Sequence, residues 1–292
     1  MTQIAGKTAV ITGAGSGIGR ALALGLAQKG ARVALADIDE PALEKTVAEV
    51  RARGGFASSH IVDVSNLTHV QAFMRSSLDA HGAVHILINN AGITCCANFL
   101  KHTPEDWTRI LSVNLMGVVH GCQTFLPHLL SQDAAHIVNI SSLFGMIGIP
   151  GQSAYCASKF AVRGLSETLW IELAGSNVHL TLVHPGGIST QIIDNARFSV
   201  PNLHDHMRKT FTRMMPPEHA AARIIRGIER NRRRVLITPE AHIGDWLKRV
   251  MPVRAVRIFA ELMSRGMRLN RFQDTVQLRH EDACAHQDDV SP

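Results

Sequence analysis

The chain has 292 residues, of which 46% are hydrophobic and 18% charged, which suits one large globular domain with an appendage. No run approaches the ~20 uninterrupted apolar residues of a membrane-spanning helix, which argues against an integral membrane protein. The net charge of +6 is concentrated in residues 223–272, where thirteen Lys and Arg face four Asp and Glu, so the basic character belongs to the C-terminal part.

The start of the chain enters a strand-like run at residues 8–11 without the basic and apolar regions of a secretory signal. The five cysteines have no metal-ligand spacing and are interpreted as thiols in a reducing compartment. The 16 histidines are scattered and form no zinc motif. We therefore expect a cytoplasmic protein without a metal site.

Short apolar runs alternate with longer amphipathic segments from residue 7 to about 185. The predicted strands are 8–11, 32–36, 57–62, 86–88, 136–140 and 179–183, and helices of ten or more residues separate them. Apolar strands that alternate with helices predict a parallel sheet covered on both faces. The expected fold is α/β: a single Rossmann-like, doubly wound sheet whose ligands bind beyond the carboxyl ends of the strands.

The regular alternation stops at residues 186–217, where glycines and prolines predict a long irregular loop, interpreted as a substrate lid. A helix from 217 to about 231 and a strand at 235–237 then complete a catalytic domain of residues 1–238. Two further helices, 241–250 and 253–269, are predicted within a basic extension over 239–278. Residues 279–292 are polar and are expected to be disordered.

The helix predicted at 253–269 is amphipathic, with Val256, Phe259 and Met263 on one face and arginines such as Arg257 on another. A helix packed on the domain with a solvated basic face is the first interpretation. The alternative is peripheral contact with an anionic membrane surface, or a cap over an apolar pocket. Nucleic-acid binding is not expected, because aromatic residues are sparse in this region.

A glycine-rich segment, residues 12–19, joins the first strand to the first helix. Glycines there let the backbone turn tightly and approach a pyrophosphate at the positive end of the helix. The spacing of Gly13, Gly17 and Gly19 departs from the common G-x-G-x-x-G expression. Because a strand precedes the segment and a helix follows it, we predict a nucleotide site.

Asp37 ends the second predicted strand, 24 residues after Gly13. A carboxylate at this place accepts hydrogen bonds from ribose hydroxyls and repels a 2′-phosphate. No Arg or Lys follows it directly, so NAD is favoured over NADP. The alternative is that Asp37 only ends the strand.

Tyr155, the single tyrosine of the chain, stands four residues before Lys159 in a segment with helical pattern. The two side chains therefore share one helix face. An ammonium held close to a phenol stabilises the phenolate, which would bring the tyrosine pKa from about 10 towards the working range. The pair is interpreted as an acid–base unit.

Several motifs occur together in a fixed order. They are residues 12–19, Asn89-Asn90-Ala91-Gly92, Asn114, Ser141-Ser142, Tyr155-x-x-x-Lys159 and Pro185-Gly186. In this order and spacing the chain resembles the short-chain dehydrogenase/reductase family over residues 5–237, about four-fifths of its length.

The resemblance implies a role for each member of a catalytic tetrad. Tyr155 would be the general acid or base, and Lys159 would lower its pKa and hold the nicotinamide ribose. Ser142 would bind the substrate oxygen, with Ser141 as the alternative, and Asn114 would maintain a proton relay to Lys159.

The resemblance also implies the cofactor contacts. They are Gly13, Ser16, Gly17, Ile18, Gly19, Asp37, Asp63, Val64, Asn90, Ala91, Gly92, Tyr155, Lys159, Pro185, Gly186, Ile188 and Thr190.

The substrate positions implied by the resemblance are small or apolar and include no arginine. They are Thr94, Cys95, Cys96, Leu143, Phe144, Gly145, Ile192 and Ile193. This set favours a lipophilic alcohol or ketone; the alternative is a loop that brings Arg197 or His204 inward.

The expected function is therefore NAD-dependent hydride transfer between a lipophilic secondary alcohol and its ketone. The alternatives are an NADP-dependent carbonyl reductase and, from another class, a non-catalytic dinucleotide-binding regulatory or scaffold protein. The resemblance further implies a homodimer or homotetramer formed through the long helices predicted at 104–130 and 152–174.

Overall fold

Buried apolar runs form the strands of the computed structural model, which describes residues 2–194, 196–198 and 203–267. The strands are β1 (Thr8–Thr12), β2 (Arg32–Asp37), β3 (Ala57–Ile61), β4 (Ile86–Asn89), β5 (Cys95–Cys96), β6 (Ala135–Ile140), β7 (Val178–His184), β8 (Arg197–Phe198) and β9 (Arg234–Leu236). Seven of them form one sheet in the order β3-β2-β1-β4-β6-β7-β9, and all neighbours are parallel. The predicted parallel α/β sheet is confirmed.

Helices cover both faces of this sheet. They are α1 (Gly17–Gln28), α2 (Glu40–Ala52), α3 (Leu67–His81), α4 (Pro104–Leu111), α5 (Gly117–Leu130), α6 (Ser153–Glu172), α7 (Leu203–Phe211), α8 (Pro217–Glu229), α9 (Pro239–Val250) and α10 (Arg254–Met267). Leu22 of α1 and Ile224 of α8 lie in the core on one face, while Phe73 of α3 and Phe125 of α5 lie in the core on the other. The sheet is therefore doubly wound, as predicted.

Local signals in the sequence set several helix starts. Thr103 caps α4 in a reciprocal capping box with Asp106, and Pro104 takes the first helical position. Asn66 caps α3, whose far end is closed by Gly82 at φ +80°. These signals place the helices so that the loops after the strands open at the carboxyl edge of the sheet.

The helical run Pro104–Leu130 joins α4 to α5 through a π-helical segment, Ser112–Met116. By length and composition this run could cross a membrane. It instead packs against α3 and β4, and its middle carries the fully buried Asn114. It is therefore a core helix of this domain.

The segment 186–217 is less irregular than predicted. It contains a 3-10 turn (Gln191–Ile193), β8 and α7, and β8 pairs in parallel with β5 in a small second sheet. The two helices predicted after residue 238 are present as α9 and α10. The predicted disordered tail, 279–292, and the end of the extension lie outside the described residues.

Candidate active site

A cavity of about 640 Å³ opens at the carboxyl ends of the parallel strands. It is lined by most of the residues that the sequence assigned to cofactor and catalysis. These are Gly13, Ser16, Gly17, Ile18, Asp37, Asp63, Val64, Asn90, Ala91, Gly92, Ser142, Tyr155, Lys159, Pro185, Gly186, Ile188 and Thr190. Gly19 and Asn114 do not line the cavity but lie directly behind residues that line it.

The glycine-rich loop needs glycine for two separate reasons. Gly13 and Gly17 have φ of +65° and +51°, a left-handed backbone that disfavours side chains. A Cβ on Gly13 would lie 2.8 Å from the Ala91 Cα, and one on Gly17 would lie 2.9 Å from the Thr190 Cγ2. Gly19 packs the first turn of α1 against the Gly13 carbonyl. The glycines therefore leave the loop backbone uncovered by side chains beside the cavity.

The loop is held against the end of β4 by hydrogen bonds from Asn90. Its side-chain Nδ2 donates to the carbonyls of Thr12 (2.9 Å) and Gly13 (3.0 Å). The Thr12 hydroxyl in turn accepts the amides of Asn90 and Ala91, at 3.0 and 3.1 Å. Asn90 therefore fixes the loop from its carbonyl side, so that amides at the start of α1 remain available to a ligand.

Asp37, at the end of β2, is tied to the same loop. Its Oδ2 accepts the Gly15 amide at 2.8 Å, and its Oδ1 accepts the Asp39 amide at 3.1 Å. The carboxylate is partly exposed where it lines the cavity. It therefore has a fixed orientation and remaining acceptor capacity for the hydroxyls of a ribose.

Tyr155 and Lys159 lie one turn apart on α6, on the cavity side. The Lys159 Nζ is 5.7 Å from the centre of the Tyr155 ring and donates to the Ile140 carbonyl at 3.0 Å. Ser142 follows β6, where its Oγ accepts the Phe144 amide at 3.1 Å and also forms a hydrogen bond with Tyr155. Tyr155 and Lys159, which the sequence assigned to proton transfer, therefore meet Ser142, assigned to the substrate oxygen, at one end of the cavity.

Ser141 and Ser142 have different environments. The Ser141 Oγ donates to the Lys159 carbonyl at 2.8 Å, which ties the end of β6 to α6. Because that hydroxyl proton is already engaged, Ser142 is the serine whose hydroxyl faces Tyr155. The prediction from the sequence likewise named Ser142 first, with Ser141 as the alternative.

Asn114 is fully buried in the π-helical segment. Its Oδ1 accepts the Ile93 amide at 2.8 Å, and its Nδ2 donates to the Ile93 carbonyl at 2.9 Å and to Ser158 Oγ at 3.1 Å. A Cβ on Gly92 would lie 3.4 Å from both the Asn114 Oδ1 and the Lys159 Nζ. Asn114 thus supports the wall of the cavity beside Lys159.

The electrostatics of the pair differ from the sequence expectation. Burial raises the pKa of Tyr155 to about 12, partly offset by the hydrogen bond with Ser142, and burial lowers the pKa of Lys159 to about 8. The expected lowering of the tyrosine pKa by the ammonium is therefore not found. Burial is the largest cause of both shifts, and the ammonium is directed at the Ile140 carbonyl.

The end of the cavity beside Tyr155, where the substrate is expected, is mostly apolar, but its lining differs in detail from the predicted set. Thr94, Leu143, Phe144, Ile192 and Ile193 line it, whereas Cys95, Cys96 and Gly145 do not. Both cysteines are buried in β5, where Cys96 Sγ accepts Gln152 Nε2 at 2.7 Å, and Gly145 packs against Ser141 and the Lys159 backbone. Lining residues that the sequence reasoning missed include Arg109, Ile149, Gln152, Met207, Phe211 and Met214.

The missed residues come from α4, from the segment between β6 and α6, and from the loop with α7. Arg109 stands five residues before Asn114, a separation that does not place two residues on one face of an α-helix, so no sequence pattern marks it. The presence of Arg109 corrects the expectation that no arginine lines the cavity. No sequence pattern marks Met207, Phe211 and Met214 as cavity residues, because their position beside the cavity depends on the path of the loop.

Arg197 is directed away from the cavity. Its guanidinium contacts both carboxylate oxygens of Asp106 and donates to the Lys101 carbonyl at 3.0 Å. Asp106, Cys95 and His102 place three potential metal-ligand atoms within 4.8 Å of one another, a grouping that the sequence spacing does not reveal. In this arrangement the guanidinium already balances the charge of Asp106. His204 also lies outside the lining.

The model of the short-chain dehydrogenase family matches residues 7–199. The chain belongs to the short-chain dehydrogenase family. It is 44% identical over 265 residues to SadH of Mycobacterium tuberculosis, which is named as an oxidoreductase, and the match covers 89% of this chain and 96% of SadH. It is 37% identical over 192 residues to the 3-oxoacyl-[acyl-carrier-protein] reductase FabG of Thermotoga maritima, covering 66% of this chain and 78% of FabG.

A solved structure of a short-chain dehydrogenase/reductase from Burkholderia phymatum, in complex with NAD, has the same fold. The TM-score is 0.81 at 37% identity, with 86% of this chain and 95% of that chain covered. This short-chain dehydrogenase is therefore an oxidoreductase that acts on CH–OH groups with a nicotinamide dinucleotide. The glycine loop, the start of α1 in the cavity lining and the Asp37 carboxylate fit such a group.

Proposed function

We propose that this short-chain dehydrogenase interconverts a lipophilic secondary alcohol and its ketone, with NAD as cofactor and Tyr155 as the general acid or base. The observation that supports this most is the convergence of Ser142, Tyr155 and Lys159 at the apolar end of a cavity whose other end presents Asp37. One continuous cavity thus offers a dinucleotide site and a proton-transfer site.

The residues have distinct tasks in this proposal. The cofactor, when bound along the glycine loop, supplies or accepts the hydride. The hydroxyls of Ser142 and Tyr155 hold the substrate oxygen, and Tyr155 gives that oxygen a proton in reduction or takes one in oxidation. Lys159 supplies a positive charge that favours the phenolate when the tyrosine loses its proton.

The preference for NAD rests on Asp37. Its carboxylate is fixed by the Gly15 amide at 2.8 Å and lies beside Ile38, which offers no positive charge for a 2′-phosphate. A buried or half-buried carboxylate repels a phosphate and accepts hydroxyl hydrogen bonds. NAD is therefore the better match of the two cofactors.

The lipophilic substrate class rests on the cavity wall. Phe144, Ile149, Ile193, Met207 and Phe211 present hydrocarbon or aromatic surface beside Tyr155. Apolar walls favour substrates with bulky apolar substituents, because burial of their surface stabilises the complex. Arg109 lies on α4 in the same lining and is exposed, so it stays hydrated without an anionic substrate.

The reaction is tested by following reduced nicotinamide formation from NAD across a panel of secondary alcohols, with NADP in parallel. Tyr155→Phe should reduce kcat by at least about a hundredfold, because a positioned acid or base contributes 10²–10⁴-fold. NAD binding should persist in the variant, measured by tryptophan fluorescence. Undiminished turnover by Tyr155→Phe would show that the proton transfer is done elsewhere.

We also propose a homodimer or homotetramer formed through the run Pro104–Leu130 and α6. Met116, Phe160 and Ile171 are large apolar residues exposed on these helices, and Ile171 is 79% exposed. Exposed apolar side chains on adjacent long helices favour a self-association surface. Light scattering of Ile171→Glu beside the unmodified protein tests this, and an unchanged molar mass would contradict the role of that helix.

A further inference from the structure

Helix α9 presents an apolar strip to solvent. Ile243, Trp246 and Val250 follow one another at spacings of three and four residues, so they share one face, and they are 55%, 60% and 58% exposed. The opposite face buries Ala241 and Gly244 against the domain. The apolar strip is therefore not part of the core.

A basic groove lies between α8, β9 and α9. It has a volume of about 670 Å³, and its charged lining consists of Arg223, Arg226, Arg232, Arg234 and His242, with no acid among its lining residues in the described part of the chain. Arg223 is directed at the Ile237 carbonyl, and Arg234 pairs with Asp245 at 2.6 Å.

Two arginines of the basic groove remain uncompensated. Within the described residues, the guanidinium groups of Arg226 and Arg232 have neither an acidic partner nor a hydrogen-bond acceptor, and both residues are exposed. An unpaired guanidinium on the surface is a ready donor for phosphate oxygens. The basic groove thus has free capacity for anionic groups.

The apolar strip and the basic groove adjoin. His242 of α9 lines the basic groove and directly precedes Ile243, and Trp246 follows His242 by one helical turn. Arg249, which pairs with Asp245 at 3.1 Å, lies at the far end of α9, and Arg254 lies at the start of α10. An exposed tryptophan between aliphatic residues and bordered by cations has the composition of a membrane-interface surface.

We propose that this face, the apolar strip together with the basic groove, binds the surface of a bilayer containing anionic phospholipids. Trp246 and its aliphatic neighbours enter the boundary between headgroups and acyl chains, and Arg226 and Arg232 bind headgroup phosphates. The charge decides against a second copy of the chain as the occupant. A twofold interface centred on this face would bring two basic grooves together, and within the described residues their lining includes no acid to offset the repulsion.

The test measures co-sedimentation of the full chain with vesicles. One set is made of phosphatidylcholine and a second of equal parts phosphatidylcholine and phosphatidylglycerol. Binding to the second set should exceed binding to the first at least about tenfold, and added salt should weaken it. Quenching of tryptophan emission by brominated acyl chains should be lost in Trp246→Phe if the ring reaches the acyl boundary.

Matched charge variants distinguish binding through the basic groove from an effect of net charge alone. Arg226→Glu with Arg232→Glu should lower the partition coefficient on anionic vesicles by at least about tenfold, because each basic residue near an anionic surface adds to the attraction and each Glu reverses it. Lys45→Glu with Arg75→Glu makes the same change in net charge at exposed positions on α2 and α3 and should alter the partition coefficient less than about twofold. Turnover without vesicles should be equal in all of them, which checks folding.

Three outcomes would overturn the proposal. The first is no preference for anionic vesicles, and the second is an equal loss in both double variants. The third is self-association in solution that disappears in Trp246→Glu, which would assign the apolar strip to a second copy.

Discussion

The Asp37 side chain joins two functions through one carboxylate. Its Oδ2 holds the Gly15 amide, and therefore the shape of the glycine loop, while its charge faces the part of the cavity that we assign to the ribose. An amide side chain at this position would preserve the first function and remove the second, because its oxygen still accepts a hydrogen bond.

Asp37→Asn should therefore lower the preference for NAD over NADP without unfolding the loop. We expect the ratio of kcat/KM for the two cofactors to fall by about tenfold, for removal of a repulsion on the order of 1 kcal/mol near the surface. Steady-state kinetics with both cofactors measure it. Asp39→Asn is the control, since Asp39 caps α2 through the Ala42 amide, and an equal effect there would refute the assignment to Asp37.

The sequence predicts which residues carry the chemistry better than it predicts which contacts hold those residues in place. The fixed spacing of Tyr155 and Lys159 places both on one face of a helix, so their meeting with Ser142 needs only the order of the strands. The position of Asn114 behind Gly92 depends on a π-helical turn, which no residue pattern marks. The shifts of the Tyr155 and Lys159 pKa values depend on burial, which spacing does not contain.

At the scale of elements, the middle of the segment between β7 and α8 is fixed to the rest of the domain. β8 pairs with β5, and Arg197 binds Asp106, which is itself held by the capping box of α4. Ile193, Met207 and Phe211 of this segment line the cavity. The Arg197–Asp106 contact therefore holds in place the segment that forms the apolar wall.

Arg197→Ala should loosen this segment and raise KM for the substrate by about threefold to tenfold, since an ion pair of this kind contributes about 1 kcal/mol. NAD affinity should change little, because the glycine loop lies elsewhere. Limited proteolysis should also become faster within residues 191–211. Arg208→Ala, which removes the looser contact with Asp194 at 3.4 Å, is the matched control. A rise in KM confined to Arg208→Ala would contradict the role of Arg197.

The pairing of β5 with β8 shows where element prediction from sequence stops. Each strand has two residues, and their partners are about a hundred positions apart, so neither periodicity nor turn signals mark them. The seven strands of the main sheet were predictable because most of them are short apolar runs between helices; β3, with Ser58, Ser59 and His60 at its centre, is the exception. The extent of α7 was missed because glycines and prolines around it resemble a loop.

At the scale of the whole molecule, the C-terminal extension supports the active site. A Cβ on Gly244 of α9 would lie 3.0 Å from Leu143, and Phe259 of α10 packs in the same cluster as Leu143 and Ile147. Leu143 directly follows Ser142. We therefore propose that residues 239–267 belong functionally to the catalytic domain of residues 1–238, because they hold the loop that carries Ser142, to which we assign substrate binding.

Buried histidines couple the stability of the whole domain to pH. Burial lowers the pKa of His136 to about 3, with a smaller contribution from His179, and lowers the pKa of His184 to about 4. Burial, then the nearby Arg32 and His60, lowers the pKa of His81 to about 4. Above the ordinary histidine pKa of about 6.5 these groups are neutral in both states and have no effect. Between that value and about 4, the unfolded chain takes up protons that the folded chain does not.

The free energy of unfolding should therefore fall as pH drops from about 6.5 towards 4, by up to about 1.4 kcal/mol per pH unit for each such histidine. Urea unfolding of the protein and of His136→Gln at a series of pH values measures this. The pH slope of the free energy of unfolding should be smaller in the variant by the contribution of one histidine, whatever the variant's stability near neutral pH. His69→Gln, at an exposed position on α3, should leave the slope as it is. If the slopes of the protein and His136→Gln coincide, the His136 ring takes up its proton equally in the folded and unfolded states, and its burial contributes nothing to the acid sensitivity.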